Sequence, residues 1–169
     1  MERPSRRKKR NCGWILALIH GIQRPSCTPK GASPNASDKA KSMDINKLPI
    51  GENAPEEVNV IIEVPMGGNP VKYELDKESG AMFVDRFLHT AMHYPCNYGF
   101  VPHTLSDDGD PVDAAVLGQH IVAPGVVIPS RPIGVLLMED ESGIDEKILC
   151  VPINRLHPYY ENVTSIDHV

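Results

Sequence analysis

Along the body of the chain, apolar positions recur mostly at every second residue, the spacing of strands rather than helices. Val58, Val60, Ile62 and Val64 alternate with Asn59, Ile61 and Glu63, which predicts a strand over 58–64 with Glu63 on the face of Asn59 and Ile61. The turn Met66-Gly67-Gly68-Asn69-Pro70 leads into a second alternating run, Val71 to Leu75, with Lys72 and Glu74 opposite Val71, Tyr73 and Leu75. Two such runs across a Gly-rich turn predict a hairpin. Ser79-Gly80 then turns the chain into Ala81 to Phe87, and further strands are predicted at Asp113 to Leu117, Ile133 to Met138 and Ile148 to Pro152. No helix longer than a turn or two is expected. Many short strands divided by Gly and Pro turns predict a mainly β domain built as a small antiparallel barrel.

The charge is distributed unevenly. Residues 1–42 hold ten of the 17 Lys+Arg and two of the 22 Asp+Glu, a net of +8, which leaves seven basic against twenty acidic groups, a net of −13, in residues 43–169. A body this acidic repels nucleic acid phosphate and attracts divalent cations. The front segment carries Arg6-Arg7-Lys8-Lys9-Arg10, a short apolar stretch from Trp14 to Ile19, and then Pro, Ser, Gly, Ala and Asn up to Ser42. That composition predicts a leader-like or disordered extension of a single domain over 43–169. Three origins compete for it: a signal peptide interrupted by His20 and Gln23, an Arg-rich transit peptide, or upstream sequence with Met43 as the natural start. The third is favoured, since Met43-Asp44-Ile45-Asn46-Lys47-Leu48-Pro49 opens a compact domain unaided. No apolar run is long enough to span a bilayer, so no membrane partner is expected. Cys96 and Cys150 sit in apolar surroundings without C-x-x-C pairing, which suits buried free thiols and a cytoplasmic protein.

The densest chemistry lies in Asp108-Gly109-Asp110-Pro111-Val112-Asp113, three carboxylates in one tight segment. Like charges this close raise each other's pKa unless a cation or solvent compensates, so partial burial implies a bound divalent metal. Oxygen-only ligands favour Mg2+ or Mn2+ over Zn2+. The competing reading is a solvated acidic turn, because Asp, Gly and Pro are ordinary turn residues. An EF-hand is excluded, since counting from Asp108 puts Val112 at position five, Asp113 where glycine is required and Gln119 where the bidentate Glu belongs. A second acidic stretch, Asp140-Glu141-Ser142-Gly143-Ile144-Asp145-Glu146-Lys147, joins two predicted strands and by itself is an ordinary charged hairpin loop. Taken together, the aspartates have the numbers to surround two or more Mg2+ ions, which activate water and clamp phosphoryl oxygens. Lys72, Arg86 and Lys147 are among only seven basic side chains in the body, and a metal–phosphate complex needs such cations. Pairing with Glu74, Asp85 and Asp145 is the alternative for them. In Tyr94-Pro95-Cys96-Asn97-Tyr98-Gly99-Phe100 each tyrosine either packs in the barrel or hydrogen-bonds phosphate.

These stretches, with Glu63-Val64-Pro65, Lys72-Tyr73-Glu74, Asp76-Lys77-Glu78-Ser79-Gly80 and Phe83-Val84-Asp85-Arg86, make residues 43 to about 167 resemble a bacterial family I soluble inorganic pyrophosphatase. The resemblance implies a five-stranded OB-like barrel with flanking hairpins. It implies Asp108, Asp113 and Asp145 as ligands of the principal metal, with Asp113 shared, and Asp140 with Asp145 on a further metal. Asp110 becomes the general base, Lys72, Arg86, Tyr98 and Lys147 hold pyrophosphate, and Glu63, Glu74 and Tyr94 support the site. The reaction implied is Mg2+-dependent hydrolysis of pyrophosphate to two phosphates by a metal-activated water, with Mn2+ able to substitute, in a homo-oligomer that is commonly a hexamer. The family pattern continues past the position of Val169 into a C-terminal helix bearing a Tyr-Lys pair. A chain lacking that pair is expected to be weakly active and poorly stable, at a cost on the order of 10²-fold or more per lost donor. The other function classes are a small-barrel module that binds oligonucleotides, which the acidic body disfavours, and a non-catalytic fragment that binds divalent metal.

Overall fold

In the computed structural model, residues 44–140 and 143–169 are described, without the side chains of Asp140 and Ile144. Residues 1–42 and Met43, and with them the readings of the front segment, lie outside the described residues. The strands are β1 Val58–Val64, β2 Val71–Asp76, β3 Ala81–Phe87, β4 Asn97–Phe100, β5 Asp113–Val116, β6 Val127–Asp140 and β7 Gly143–Pro152. Helical turns occur only as three-residue 3-10 segments, Ile45–Lys47, Pro158–Tyr160 and Ile166–His168, among the described residues.

Five strands close into a barrel in the order β1-β4-β5-β7-β6, and β2 with β3 forms a separate two-stranded sheet. The barrel is not antiparallel throughout, as the sequence pattern suggested. Four pairings are antiparallel, but β5 runs parallel to β7, with Asp113 opposite Lys147 and Val116 opposite Cys150. The reason is one of parity: strand direction cannot alternate all the way round a closed ring with an odd number of members. One pair had to be parallel.

β1 explains how the barrel is filled. Val58, Val60 and Ile62 face a core shared with Val101, Ala114, Val116, Ile128 and Cys150. On its opposite face, Ile61 is buried with Leu75 and Phe100, because the β2–β3 hairpin lies over that side. A strand covered on both faces loses the polar half of its alternation, and Ile61 is the residue that breaks the pattern. Glu63, on this second face, accepts a hydrogen bond from the Leu75 backbone N–H at 2.8 Å and so ties the hairpin to the barrel.

β6 and β7 are longer than predicted, β7 beginning at Gly143 rather than Ile148 so that Asp145 and Lys147 lie on a strand and not in a loop, and β4 was not predicted. β6 begins at Val127, upstream of the predicted Ile133, although it contains Pro129 and Pro132. Pro132 lies at a register shift before Gly134, where a missing N–H is tolerated. β4, only four residues long with Gly99 inside it, carries too short a period to be read as a strand. Gly99 sits opposite Ile62, and a Cβ there would lie 1.8 Å from the Ile61 carbonyl oxygen. Backbone that close has nowhere to yield.

Gly99→Ala is expected to lower the unfolding free energy by about 2–3 kcal/mol or more in urea titrations. Gly118→Ala, where an added Cβ meets nothing within 4 Å, is the control and should shift it little.

Candidate active site

The parallel pairing of β5 with β7 sets Asp113 directly opposite Lys147. Asp145, two residues earlier on β7, projects to the same side as Lys147 by strand periodicity. The Lys147 ammonium lies 2.8 Å from Asp113 Oδ2, 2.8 Å from Asp145 Oδ2 and 2.8 Å from the Tyr98 hydroxyl oxygen. Its three donors are all engaged, and its side chain is only 15% exposed. The Tyr98 hydroxyl in turn donates to Asp113, the Lys147 ammonium stands 5.2 Å from the Tyr98 ring centroid, and Tyr94 tilts against Tyr98 at 5.2 Å between ring centroids.

Burial by itself would lower the Lys147 pKa, but hydrogen bonds to Asp113, Asp145 and Tyr98 outweigh it and hold the ammonium above the ordinary lysine range. Burial, and then the hydrogen bond to Asp113, push the Tyr98 phenol up as well. Both groups therefore keep their protons at neutral pH: Lys147 as a cation and Tyr98 as a neutral donor.

A second constellation sits on the β2–β3 hairpin. Lys72 pairs with Arg86 across the strands, and the register then slips so that Tyr73 faces Val84, leaving Asp85 as the extra residue of a bulge. Arg86 Nε donates to Asp85 Oδ2 at 2.8 Å, and Lys72 Nζ lies 3.3 Å from the same oxygen. The Arg86 hydrogen bond, helped by Lys72, holds the Asp85 carboxyl below its ordinary range. Glu74, two residues beyond Lys72 on β2, is exposed.

The acidic turn is anchored by its backbone. Gly109 adopts φ +91°, a left-handed conformation suited to glycine. Ser106 N–H donates to Asp110 O at 2.7 Å, Gly109 N–H to Ser106 O at 3.1 Å, and Asp110 N–H to Asp108 Oδ1 at 3.0 Å. Asp108 and Asp110 are exposed, and only Asp113 of the three is partly buried. Asp110 Oδ1 meets Lys77 Nζ at 3.0 Å. Glu63 is raised above the ordinary carboxylate range, first by desolvation, which outweighs the Leu75 N–H bond, with the fields of Glu74 and Asp113 adding to it and Lys72 opposing.

Of the predicted metal ligands, the structure brings Asp113 and Asp145 together on one ammonium, turns Asp108 toward its own loop backbone, and leaves the Asp140 side chain outside the described residues. No three Asp, Glu, His or Cys side chains form a metal cage among the described residues. The donors are all carboxylate oxygens, which suit a hard divalent ion. Lys147 supplies the positive charge that such a pair requires. Two residues gain a place that the sequence did not give them: Asp85 was visible only as a pairing partner, and Lys77 only as part of the matching stretch Asp76-Lys77-Glu78-Ser79-Gly80, with no role assigned. A cavity of about 420 Å³ lined by Ile50, Val58, Val101, Ile133, Val135 and Ile148 is apolar and includes none of these site side chains. No helix among the described residues is long and apolar enough to cross a membrane.

Residues 60–169 match the family model described as inorganic pyrophosphatase. The chain is 70% identical over 123 residues to an inorganic pyrophosphatase of Rhodospirillum rubrum, covering 73% of this chain and 69% of that protein. It is 63% identical over 123 residues to one from Caulobacter vibrioides, covering 73% and 70%. Among solved structures, the inorganic pyrophosphatase of Ehrlichia chaffeensis superposes with a TM-score of 0.69 at 50% identity, covering 73% of this chain and 77% of that one.

Because Glu63 binds its proton more tightly folded than unfolded, its contribution to stability falls as pH rises through its folded pKa. In EDTA, Glu63→Gln, which keeps an acceptor for Leu75 N–H, should raise the thermal unfolding midpoint by a few degrees near pH 8. That gain should fade as pH falls toward the ordinary value of 4.5. An equal shift at both ends would show that charge is not the cause.

Proposed function

The chain belongs to the inorganic pyrophosphatase family, and we propose a division of labour among its residues in that reaction. It is a hydrolase that cleaves inorganic pyrophosphate to two phosphates. The observation that carries the assignment of roles is the Lys147 cluster, where Asp113, Asp145 and the Tyr98 hydroxyl meet one half-hidden ammonium. Two carboxylates and a fixed cation side by side suit a polyanion that arrives with its own counter-charges.

Asp108, Asp113, Asp140 and Asp145 are the residues that would hold divalent ions, with Mg2+ the fitting ion and Mn2+ a substitute. Bound there, the ions would supply positive charge that makes water a better nucleophile and neutralises phosphoryl oxygens. The chain's own groups do the rest. Lys147 and the Tyr98 O–H, held at rest by Asp113 and Asp145, are the donors that turn to phosphoryl oxygens. Lys72 adds a point charge, and Arg86 uses its terminal NH2 groups, which the bond from Nε to Asp85 leaves available for a forked contact.

Water attacks one phosphorus in line, the new O–P bond forms as the bridging O–P bond breaks, and the electron pair leaves with the second phosphate. Asp110 takes the water's proton on Oδ2, since Oδ1 faces Lys77. Glu63 and Glu74 tune the field nearby, and Tyr94 braces Tyr98.

The proposal extends to residues 43–169 as the catalytic unit, to a homo-oligomer of the family's hexameric kind, and to a cytoplasmic setting supported by the buried free thiols of Cys96 and Cys150. Exposed Phe83, Phe87 and Leu137 favour association. The reading as a non-catalytic metal-binding fragment is not favoured, because the proteins matched at this identity are pyrophosphatases.

Phosphate release from pyrophosphate with Mg2+ tests the reading. EDTA should abolish turnover and Mg2+ restore it, while Asp110→Asn should lower kcat by about 10²–10⁴-fold. An unchanged rate in Asp110→Asn would remove Asp110 from the role of base.

A further inference from the structure

Lys77 stands at the far end of the β2–β3 hairpin, 33 residues from Asp110 in sequence, yet its Nζ lies 3.0 Å from Asp110 Oδ1. The turn that carries it is rigid. Asp76 closes that turn by accepting from the Ser79 and Glu78 backbone N–H groups at 3.1 and 3.4 Å, and Gly80 N–H donates to Asp76 O at 2.8 Å. On the other side, the Asp110 backbone is pinned at both its N–H and its carbonyl. Two fixed backbones are thus joined through one lysine side chain.

The Asp110 side chain is 74% exposed, and its carboxylate oxygens make no contact besides the one with Lys77 among the described residues. A carboxylate in that setting samples several rotamers unless something selects one. We infer that Lys77 is a positioning residue for Asp110: by holding Oδ1 it fixes the carboxylate plane and leaves Oδ2 as the oxygen presented to the attacking water. The inference rests on the assignment of Asp110 as the base. It also makes the hairpin that carries Lys72 and Arg86 at one end the support of the base at its other end.

An exposed ion pair stabilises a fold by little, so Lys77→Ala should leave the unfolding midpoint within roughly 2 °C of the parent. Misplacement of a reacting group costs far more than that. In steady-state pyrophosphate hydrolysis with saturating Mg2+, Lys77→Ala should lower kcat by roughly tenfold with KM changed less than about twofold. Lys77→Arg, which can still reach the carboxylate, should recover most of the loss.

A double-mutant cycle separates the possibilities. If Lys77 acts through Asp110, adding Lys77→Ala to Asp110→Asn should lower the residual rate by less than about twofold. A full tenfold loss in the Asp110→Asn background would show Lys77 acting on the substrate directly and overturn the inference, as would an unchanged kcat in Lys77→Ala alone. If Asp110→Asn itself leaves kcat intact, the base assignment fails, which is a separate outcome read from a separate variant.

Discussion

The site depends on one ammonium group. Without Lys147, Asp113 and Asp145 would present two uncompensated negative charges to each other at a partly buried position. With it, both carboxylates are held on the same 2.8 Å contacts, and the Tyr98 hydroxyl is locked between cation and anion as a donor. The same contacts suit an incoming metal–phosphate complex, which brings positive and negative charge in the same place. Lys147 is therefore both the internal counter-ion of the resting site and a ligand in waiting for a phosphoryl oxygen.

The hairpin of β2 and β3 repeats this logic with the signs exchanged. There a single carboxylate, Asp85, stands between two cations, Lys72 and Arg86. The bulge leaves Asp85 without a cross-strand partner, and its carboxylate meets both Lys72 and Arg86. Glu63 completes the connection, since its bond to Leu75 N–H fixes the hairpin on β1 at the cost of a desolvated carboxylate. Lys147 with Asp113 and Asp145, Lys77 with Asp110, and Asp85 with Lys72 and Arg86 are thus each prepared by a partner of opposite charge.

Much of this was legible in the sequence. Alternation in 58–64, interrupted only at Ile61, and the turn at Ser79-Gly80 delimited β1 and β3 as the structure has them, and the Asp, Lys, Arg and Tyr residues of the site stand in stretches whose composition already pointed to charged chemistry. What escaped depended on closure. β4 is too short and glycine-broken to show a period, yet Gly99 is there because β1 approaches too closely for any Cβ. The parallel pair of β5 and β7 has no local signature, although five strands in a ring require it. The sequence left open whether the carboxylates of the acidic turn are withdrawn from solvent, and only Asp113, the one that begins a barrel strand, is partly so. The reach of Lys77 to Asp110 spans two loops and is visible only once the hairpin is placed.

The parallel seam between β5 and β7 also governs when, during folding, a site comes into existence. Hairpins such as β2–β3 and β6–β7 join neighbours in sequence and form early, whereas Asp113 and Lys147, 34 residues apart, meet only after β7 has returned past β6 to reach β5. That meeting needs β7 already in place beside β6 and β5 laid along it. A chain partway to the native state can hold most of its strand content and still have no place for an anion, so strain on that seam should silence the protein while its secondary structure persists.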